Sequence, residues 1–200
     1  MSNIVDPAPD DLVARIAARV RAERERRRWT LAQLADASGV SAAMISRIER
    51  GESSPTAVVL GKLSAAFRLG VASLLALAEG APDAVADTAG VLRGADAAEW
   101  QDPGTGYRRR QVTGPRFPAE IAEIRLPAGA RVPYPAAAFA FVRQLVWVLD
   151  GRLTFHDGDA VHELGTGDTI ELGAPADRVF ANTTATECRY AVVLTRDTRP

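Results

Sequence analysis

The sequence predicts a multidomain α + β protein in which an all-α N-terminal part of five short helices precedes an all-β C-terminal part. Up to about Leu77 the apolar residues recur at helical spacing, and after Tyr107 the hydrophobic period falls to two. Between them, residues 79–106 are rich in Ala, Gly, Asp and Pro without a sustained period, which is typical of a linker. We therefore expect one domain over residues 1–78 and a second over residues 107–200.

Local signals mark where the helices begin and end. A Ser or Thr hydroxyl accepts a hydrogen bond from an unpaired N–H of the first helical turn, and such residues stand at three predicted starts. These are Thr30, Ser41 and Thr56. Glycine readily adopts the left-handed conformation that ends many helices, and Gly39, Gly51 and Gly70 stand at three predicted ends. The last predicted helix lies around Leu74 to Leu77.

The second part is predicted to form eight short strands joined by tight turns. The strand candidates are residues 107–113, 121–126, 145–149, 153–156, 160–164, 169–172, 178–181 and 189–194. Asp150-Gly151 and Asp157-Gly158 supply the positive φ that tight hairpins need, and Gly167-Asp168 turns the chain into the next strand. Many short strands in one block predict a small barrel or jelly roll.

Composition argues against several classes of protein. The chain has no apolar run near the ~18 residues that a membrane span needs and no signal-peptide pattern at its start, so we expect a cytoplasmic protein with no membrane partner. Cys188 is the single cysteine, which excludes an internal disulfide and a multi-cysteine metal site. Any histidine chemistry must use His156 or His162, because the chain has 2 histidines.

The net charge of −1 conceals an uneven distribution of charge along the chain. Residues 11–68 contain eleven basic and six acidic side chains, a net charge of +5, whereas residues 81–200 contain thirteen and sixteen, a net charge of −3. A basic first part joined to an acidic second part indicates that the first part alone binds a polyanion. Arginine-rich helices that are merely well solvated give the same count, so charge leaves both interpretations open.

The second and third predicted helices form a helix-turn-helix. Residues 31–37 and 41–50 are joined by a turn at Gly39, where the chain reverses without a Cβ clash. Ile45 and Ile48 share the face of the third helix that holds it to the core. The opposite face presents Ser41, Ala42, Ala43, Ser46, Arg47 and Arg50. Small side chains beside basic ones suit the floor of a DNA major groove, because methyl groups contact thymine and arginine reaches guanine.

The helical part resembles the five-helix XRE-type, or phage-repressor-like, DNA-binding domain. The motifs that carry the resemblance are Leu31-x-x-Leu34-Ala35, Gly39-Val40-Ser41, Ile45-Ser46-x-Ile48-Glu49-x-Gly51 and Pro55. The resemblance implies that Ser41, Ala42, Ala43, Ser46 and Arg47 read bases and that Thr30, Gln33, Ser53 and Lys62 hold phosphates. It also implies an ion pair between Glu49 and Arg24 beneath the surface. A homodimer places two such helices about 34 Å apart, so the expected partner is double-stranded DNA with an inverted-repeat operator.

Residues 119–194 resemble the cupin barrel that follows the DNA-binding domain in many bacterial XRE-type regulators. The motifs are Pro127-x-Gly129, Asp150-Gly151, Gly165-x-Gly167-Asp168 and Asn182. Cupin enzymes usually bind a divalent metal through two His and a Glu in the first motif and a third His in the second. Here Gln144 and Arg178 fall at the Glu and third His positions, and Val132 and Tyr134 are candidates for the other two. These side chains cannot form an ordinary metal site, so we expect no metal and no cofactor.

The two histidines lie outside those motif positions, on either side of a predicted hairpin turn. Hairpin pairing is expected to place His156 opposite Asp159 rather than opposite His162, so a two-histidine metal site there requires a second chain.

Strand alternation predicts which residues line the barrel. They are Gln144, Val146, Val148, Arg178 and Phe180, with Tyr134 as a further candidate. An arginine inside a small apolar barrel needs a partner, and Glu123 or Glu171 would serve unless Arg178 points outward at the rim. Alternatively, Arg178 clamps the carboxylate or phosphate group of a small effector that Gln144 orients.

The sequence therefore predicts a transcription regulator that is not an enzyme. Its helical domain binds operator DNA, and its cupin-like domain dimerises and senses a small effector, an anion being one candidate, without a metal. Two alternatives remain: a metal-dependent cupin enzyme with an attached DNA-binding domain, and a regulator whose barrel is a ligand-free dimerisation module. Because the predicted linker is slack, coupling between the domains requires direct contact between them.

Overall fold

The computed structural model describes residues 9–69, 71, 74, 91, 93, 94, 97, 99–113, 117, 119–140 and 142–196. Its helices are α1 (Pro9–Arg26), α2 (Leu31–Ser38), α3 (Ala42–Glu49) and α4 (Ala57–Phe67). Four helices are thus bounded where the sequence predicts five. Val71 and Leu74 are helical, but the other residues of the expected fifth helix lie outside the described ranges. None of the helices within these ranges has the length and apolar character that crossing a bilayer requires.

The predicted helix starts are confirmed. Thr30, Ser41 and Thr56 each accept a hydrogen bond from the backbone N–H three residues later, at 3.2, 3.3 and 3.3 Å. Two of the predicted ends are confirmed as well, because Gly39 and Gly51 have φ of 65° and 72°. The third glycine expected at a helix end lies outside the described residues.

The second part consists of strands that form two antiparallel sheets. In chain order they are β1 (Glu99–Gln101), β2 (Arg108–Gln111), β3 (Ala119–Leu126), β4 (Arg131–Tyr134), β5 (Val142–Asp150), β6 (Arg152–Asp157), β7 (Ala160–Gly165), β8 (Thr169–Glu171), β9 (Arg178–Ala181) and β10 (Cys188–Arg196). A 3-10 turn, Ala136–Phe139, lies between β4 and β5. One sheet has the order β1-β2-β3-β10-β5-β8 and the other the order β4-β9-β6-β7.

The chain moves back and forth between these sheets, which is the arrangement of a jelly roll. The sheets face each other across aromatic side chains: the ring of Phe180 on β9 stacks on that of Tyr190 on β10, with centroids 5.7 Å apart. Among the described residues no strand pairing joins the two sheets, so the expected barrel is a two-layer sandwich that hydrogen bonds do not close.

All eight predicted strands are present within three residues at each end, but two further strands and the 3-10 turn were missed. β1 lies inside residues 79–106, which were expected to be linker, and it extends the larger sheet by pairing with β2. β4 is 4 residues long and contains Pro133, which removes a backbone donor and weakens the strand pattern.

The β6–β7 hairpin corrects the expected pairing of His156. Asp157 lies opposite Ala160, so His156 lies opposite Val161 and not opposite Asp159. The reason is that the loop contains only Gly158 and Asp159, with φ of 58° at the glycine.

The helical part packs directly against the β part. Asp102, which follows β1, accepts a 2.8 Å hydrogen bond through Oδ1 from the Ala57 N–H at the start of α4. Gly61 in the middle of α4 lies against the Tyr134 ring, because a Cβ added there would be 2.9 Å from Tyr134 Cδ1. Buried apolar side chains of both parts form one continuous cluster. The two parts therefore have the direct contact that coupling between them requires.

Candidate DNA-binding face and effector cavity

One side of α3 is held to the helical core, and the other is exposed. Ile45 and Ile48 are 0% and 1% exposed, and Met44 packs against the same core. The opposite side carries the residues expected to read bases: Ser41, Ala43, Arg47 and Arg50 are exposed, and Ala42 and Ser46 are half-buried. Small side chains on that side allow the helix backbone to approach another molecule closely.

The two arginines on this face differ in what they contact. Arg50 donates through Nε and Nη2 to the Glu52 carboxylate at 2.6 and 2.8 Å, and through Nη1 to the Ser46 hydroxyl. The Arg47 side chain makes no hydrogen bond or ion pair with any residue that the structure describes. The donors of Arg47 are therefore available to a ligand. Arg50 must first break its hydrogen bonds to Glu52 before it can bind one.

The residues expected to hold phosphates lie at the start of α2, on α4 and in the loop after α3. Thr30 and Gln33 form a reciprocal cap at the start of α2, in which the Thr30 N–H also donates to Gln33 Oε1 at 2.8 Å. Both are exposed, as is Lys62 on α4, whereas Ser53 is half-buried in the loop after α3. Thr30, Gln33 and Lys62 are thus exposed, as contact with a DNA phosphate requires.

An ion pair beneath this face joins α1 to α3 and confirms the pairing that the resemblance implied. Arg24 donates through Nε and Nη2 to the two carboxylate oxygens of Glu49 at 2.7 and 2.8 Å, and through Nη1 to the Trp29 carbonyl at 2.9 Å. The two side chains are only 15% and 8% exposed. The bidentate geometry fixes the orientation of α3 relative to α1.

A second cluster on α1 was missed. Glu23 is 2% exposed, and its carboxylate accepts hydrogen bonds from Arg19, Arg26 and Arg27. Burial raises the pKa of Glu23, but the hydrogen bond from Arg27 and the three positive charges outweigh burial and hold this pKa below its usual value. Arg27 also donates to the Phe67 carbonyl. These arginines serve the fold, and their spacing of three and four residues from Glu23 is the signal that reveals the cluster in the sequence.

A cavity lies between the two sheets. Its volume is about 50 Å³, counted as the space open to the centre of a water molecule. On that measure a cavity needs roughly 10–15 Å³ to hold one water, so this cavity has room for a small ligand or for ordered water. Three residues expected to bind an effector line it, namely Tyr134, Gln144 and Phe180. Val146 and Val148 are fully buried but do not line it.

Arg178 does not line the cavity, contrary to expectation. Its Nε donates to Asp157 Oδ1 at 2.7 Å, its Nη2 donates to the Ala174 carbonyl at 2.9 Å, and its guanidinium lies 4.6 Å from the centre of the Phe139 ring. It is 1% exposed and therefore does not lie at the rim. Its carboxylate partner is Asp157 rather than Glu123 or Glu171. Asp157 was missed as its partner because β6 and β9 pair only in the folded sheet.

The cavity instead contains Arg109, which was not among the residues predicted to line it. Arg109 is 7% exposed, and its Nη2 atom is buried without a hydrogen-bond partner among the described residues. On the same strand, Arg108 pairs with Glu187 at 3.0 Å and Arg110 pairs with Glu123. Strand alternation directs the middle arginine of the three inward, and that period-two pattern is the signal that identifies it.

Three tyrosines surround this guanidinium. The hydroxyl groups of Tyr107 and Tyr134 are 3.0 Å apart and share a hydrogen bond, and Tyr190 lines the same cavity. Burial raises the pKa of all three phenols, although the positive charge of Arg109 opposes this rise. The phenols therefore stay neutral at physiological pH and retain their O–H donors.

No group of three or more His, Cys, Asp or Glu side chains within the described ranges is placed to hold a metal ion. His156 Nε2 is 3.3 Å from Arg131 Nη1, and the His162 ring stacks on Phe155 with centroids 6.5 Å apart. Burial raises the pKa of the Cys188 thiol to about 11, so this cysteine is a neutral core residue at physiological pH.

A helical part with an exposed, capped α3 packs through α4 against a two-sheet β part that has an internal cavity. This arrangement defines a helix-turn-helix protein with an attached β domain. Residues 20–74 match the Helix-turn-helix family HTH_3. The HTH-type transcriptional regulator SutR of Escherichia coli (strain K12) is 33% identical over 173 residues, which cover 86% of this chain and 90% of the relative. The chain belongs to this family of HTH-type transcriptional regulators.

Solved structures share the fold. The HTH_3 family transcriptional regulator from Vibrio cholerae has a TM-score of 0.72 at 22% identity, covering 94% of this chain and 98% of that chain. The two-part architecture is therefore common to both proteins. The Cupin_2 domain of an XRE family transcriptional regulator from Enterobacter cloacae has a TM-score of 0.41 at 13% identity, covering 44% of this chain and 95% of that chain.

Proposed function

We propose that this regulator binds operator DNA in the cytoplasm through α3 and that its β part senses a small effector without a metal ion. The observation that supports DNA binding is the exposed face of α3, where small side chains adjoin Arg47, whose donors bond to none of the residues that the structure describes. A guanidinium with this freedom can bind O6 and N7 of a guanine in the major groove.

The remaining contacts follow from the position of α3. Ser41, Ala42, Ala43 and Ser46 lie against base edges, with Arg50 beside them. Thr30, Gln33, Ser53 and Lys62 contact phosphates and set the orientation of the domain. Two copies of the chain form a homodimer that places its α3 helices about 34 Å apart, so the operator is an inverted repeat.

The cavity supports the sensing part of the proposal. Tyr134 lines the cavity and also contacts Gly61 of α4, so a ligand that moves its ring changes the docking of the helical part. Such a ligand alters DNA affinity only by its difference in affinity for the two arrangements. Tyr134, Gln144 and Phe180 are the proposed effector contacts, because they line the cavity, whereas Val146, Val148 and Arg178 do not. We assign no catalytic residue.

The DNA-binding proposal predicts the effect of Arg47→Ala. Duplexes selected by the wild-type protein from a random library should bind Arg47→Ala more weakly by about 1–3 kcal/mol, with relaxed preference at one base position. Fluorescence anisotropy at fixed salt measures this loss.

Arg152→Ala is the matched control, because it removes the same charge from an exposed position on β6. It should bind the selected duplexes as the wild type does. Equal losses in the two variants would contradict base reading by Arg47, and selected sites without an inverted repeat would contradict the dimer.

A further inference from the structure

The cavity of the β part contains a positive charge that pairs with no described carboxylate. Arg109 lines the cavity, and only 7% of its surface is exposed. No described Asp or Glu pairs with it. Burying a guanidinium without a partner is costly, since the loss of hydration is not repaid. Arg108 and Arg110 show that carboxylate partners are available on this sheet to arginines that face outward.

We propose that Arg109 binds the negative charge of the effector, and that the effector is a small monoanion with a short apolar body, such as a short-chain carboxylate. This inference depends on the effector site proposed above and names its ligand class. A planar carboxylate accepts two parallel hydrogen bonds from one guanidinium, which is the strongest arrangement for an anion of this size.

The polar lining favours an anion over a cation or a neutral molecule. The described residues that line the cavity include one guanidinium and no carboxylate. Tyr107, Tyr134 and Gln144 add O–H and N–H donors around Arg109. One positive charge matches one negative charge, so a dianion such as sulfate leaves a buried charge uncompensated.

The size and the walls of the cavity restrict the rest of the ligand. A volume of about 50 Å³, counted as the space open to the centre of a water molecule, suits a small ligand better than a drug-sized one. Ile124, Val132, Val192 and Leu194 form apolar walls that favour methyl or methylene groups beside the anion.

Isothermal titration calorimetry on the full chain tests the ligand class. The probes are propionate and butyrate, with propionamide as the uncharged analogue, sulfate as the dianion and chloride as the anion without an apolar body. We expect propionate or butyrate to bind the wild type more tightly than the other three probes. Absence of binding by both carboxylates, or equal affinity for propionamide, sulfate or chloride, overturns the proposal.

Matched variants on β2 test the anchoring residue. Arg109→Met should weaken carboxylate binding at least about tenfold, because it removes the charge-assisted hydrogen bonds and keeps the side-chain volume. Arg108→Gln removes the same charge from the outward-facing neighbour and should bind as the wild type does. Equal effects of the two substitutions overturn the assignment of the anion to Arg109.

Thermal unfolding without ligand separates ligand binding from a structural role. Arg109→Met should unfold at the same temperature as the wild type or higher, because it removes an unpaired buried charge. A clearly lower temperature would show that Arg109 has an internal partner, and it would overturn the proposal even if the variant binds no carboxylate.

DNA affinity distinguishes failure of this inference from failure of effector sensing. If carboxylate binding depends on Arg109 but leaves affinity for the selected duplexes unchanged, the anion site stands and the sensing function fails. If a neutral compound changes DNA affinity equally in the wild type and in Arg109→Met, sensing stands and the anion site fails.

Discussion

At the residue scale, the environment of an ion pair decides what the pair contributes. Arg24 and Glu49 are 15% and 8% exposed and form a bidentate pair, whereas Arg21 and Glu25 are 62% and 52% exposed. Water screens the exposed pair, and its side chains lose entropy on pairing, so its net contribution is small. The half-buried pair leaves an uncompensated charge when one partner is removed.

This difference predicts how two substitutions on neighbouring helices change the stability of the protein. Glu49→Ala should lower the free energy of unfolding by about 2 kcal/mol, because Arg24 loses two charge-assisted hydrogen bonds in a poorly hydrated site. Glu25→Ala should change it little. Urea unfolding followed by far-ultraviolet circular dichroism measures both, and similar losses in the two variants would contradict this account.

The candidate site was only partly predictable from single residues. Strand alternation predicted Gln144 and Phe180 in the interior of the β part, and both line the cavity, as does Tyr134, which was a further candidate. It cannot report that Arg178 pairs with Asp157 or that Arg109 pairs with no described carboxylate, because both facts depend on which strands become neighbours.

At the element scale, boundaries set by local chemistry were predictable and those set by pairing were not. The caps of α2, α3 and α4 follow from one hydroxyl each, and the hairpin turns follow from glycines such as Gly151 and Gly167, with φ of 81° and 94°. β1 has only 3 residues and exists because β2 offers it an edge. A strand that short has no detectable period of its own.

Gly61 shows how an element adapts to its neighbour. A helix-interior glycine is normally less favourable than alanine by about 0.5–1 kcal/mol, yet here a Cβ would be 2.9 Å from the Tyr134 ring. Gly61→Ala should therefore destabilise the protein by about 1 kcal/mol or more, since overpacking outweighs the gain in helix propensity.

A double-mutant cycle measured by urea unfolding tests whether the loss of stability in Gly61→Ala comes from its contact with the Tyr134 ring. In a Tyr134→Ala background the ring is absent, so Gly61→Ala should cost less than it does in the wild type or become stabilising. Additive effects of the two substitutions would show that Gly61 is not limited by Tyr134.

At the scale of the whole molecule, the helical and β parts share one apolar cluster and one buried polar contact. The Asp102 carboxylate is 2% exposed and accepts hydrogen bonds from Ala57 of α4 and from Thr105 of its own loop. It therefore caps a helix of one part from the other part. Through this contact and through Tyr134, the position of α4 depends on the β part.

This arrangement predicts cooperative unfolding that depends on Asp102. In the wild type, helix content and the near-ultraviolet signal of the buried aromatic residues should disappear together in urea, because one core serves both parts. In Asp102→Ala the helix signal should be lost at lower urea, since the Ala57 N–H at the start of α4 loses its acceptor and α4 loses its polar contact with the β part.

Asp168→Ala is the control for that comparison. Asp168 Oδ2 accepts a 2.8 Å hydrogen bond from the Gly165 N–H within a turn of the β part. This substitution should lower stability while the two signals stay coincident. Two separate transitions in the wild type would contradict a shared core.

The sequence by itself determined the two-part division, the helix caps, the turn glycines, the strand phases and the helix-turn-helix, because these depend on sterics and hydrogen bonds within a few residues. Only the tertiary structure decided that Asp157 pairs with Arg178, that Arg109 is left unpaired in a cavity, and that Asp102 and Tyr134 join the β part to α4. The physical reason is that a buried charge or cap is satisfied by whatever lies nearest in space, and residues far apart in the chain become neighbours only when the sheets and α4 pack together.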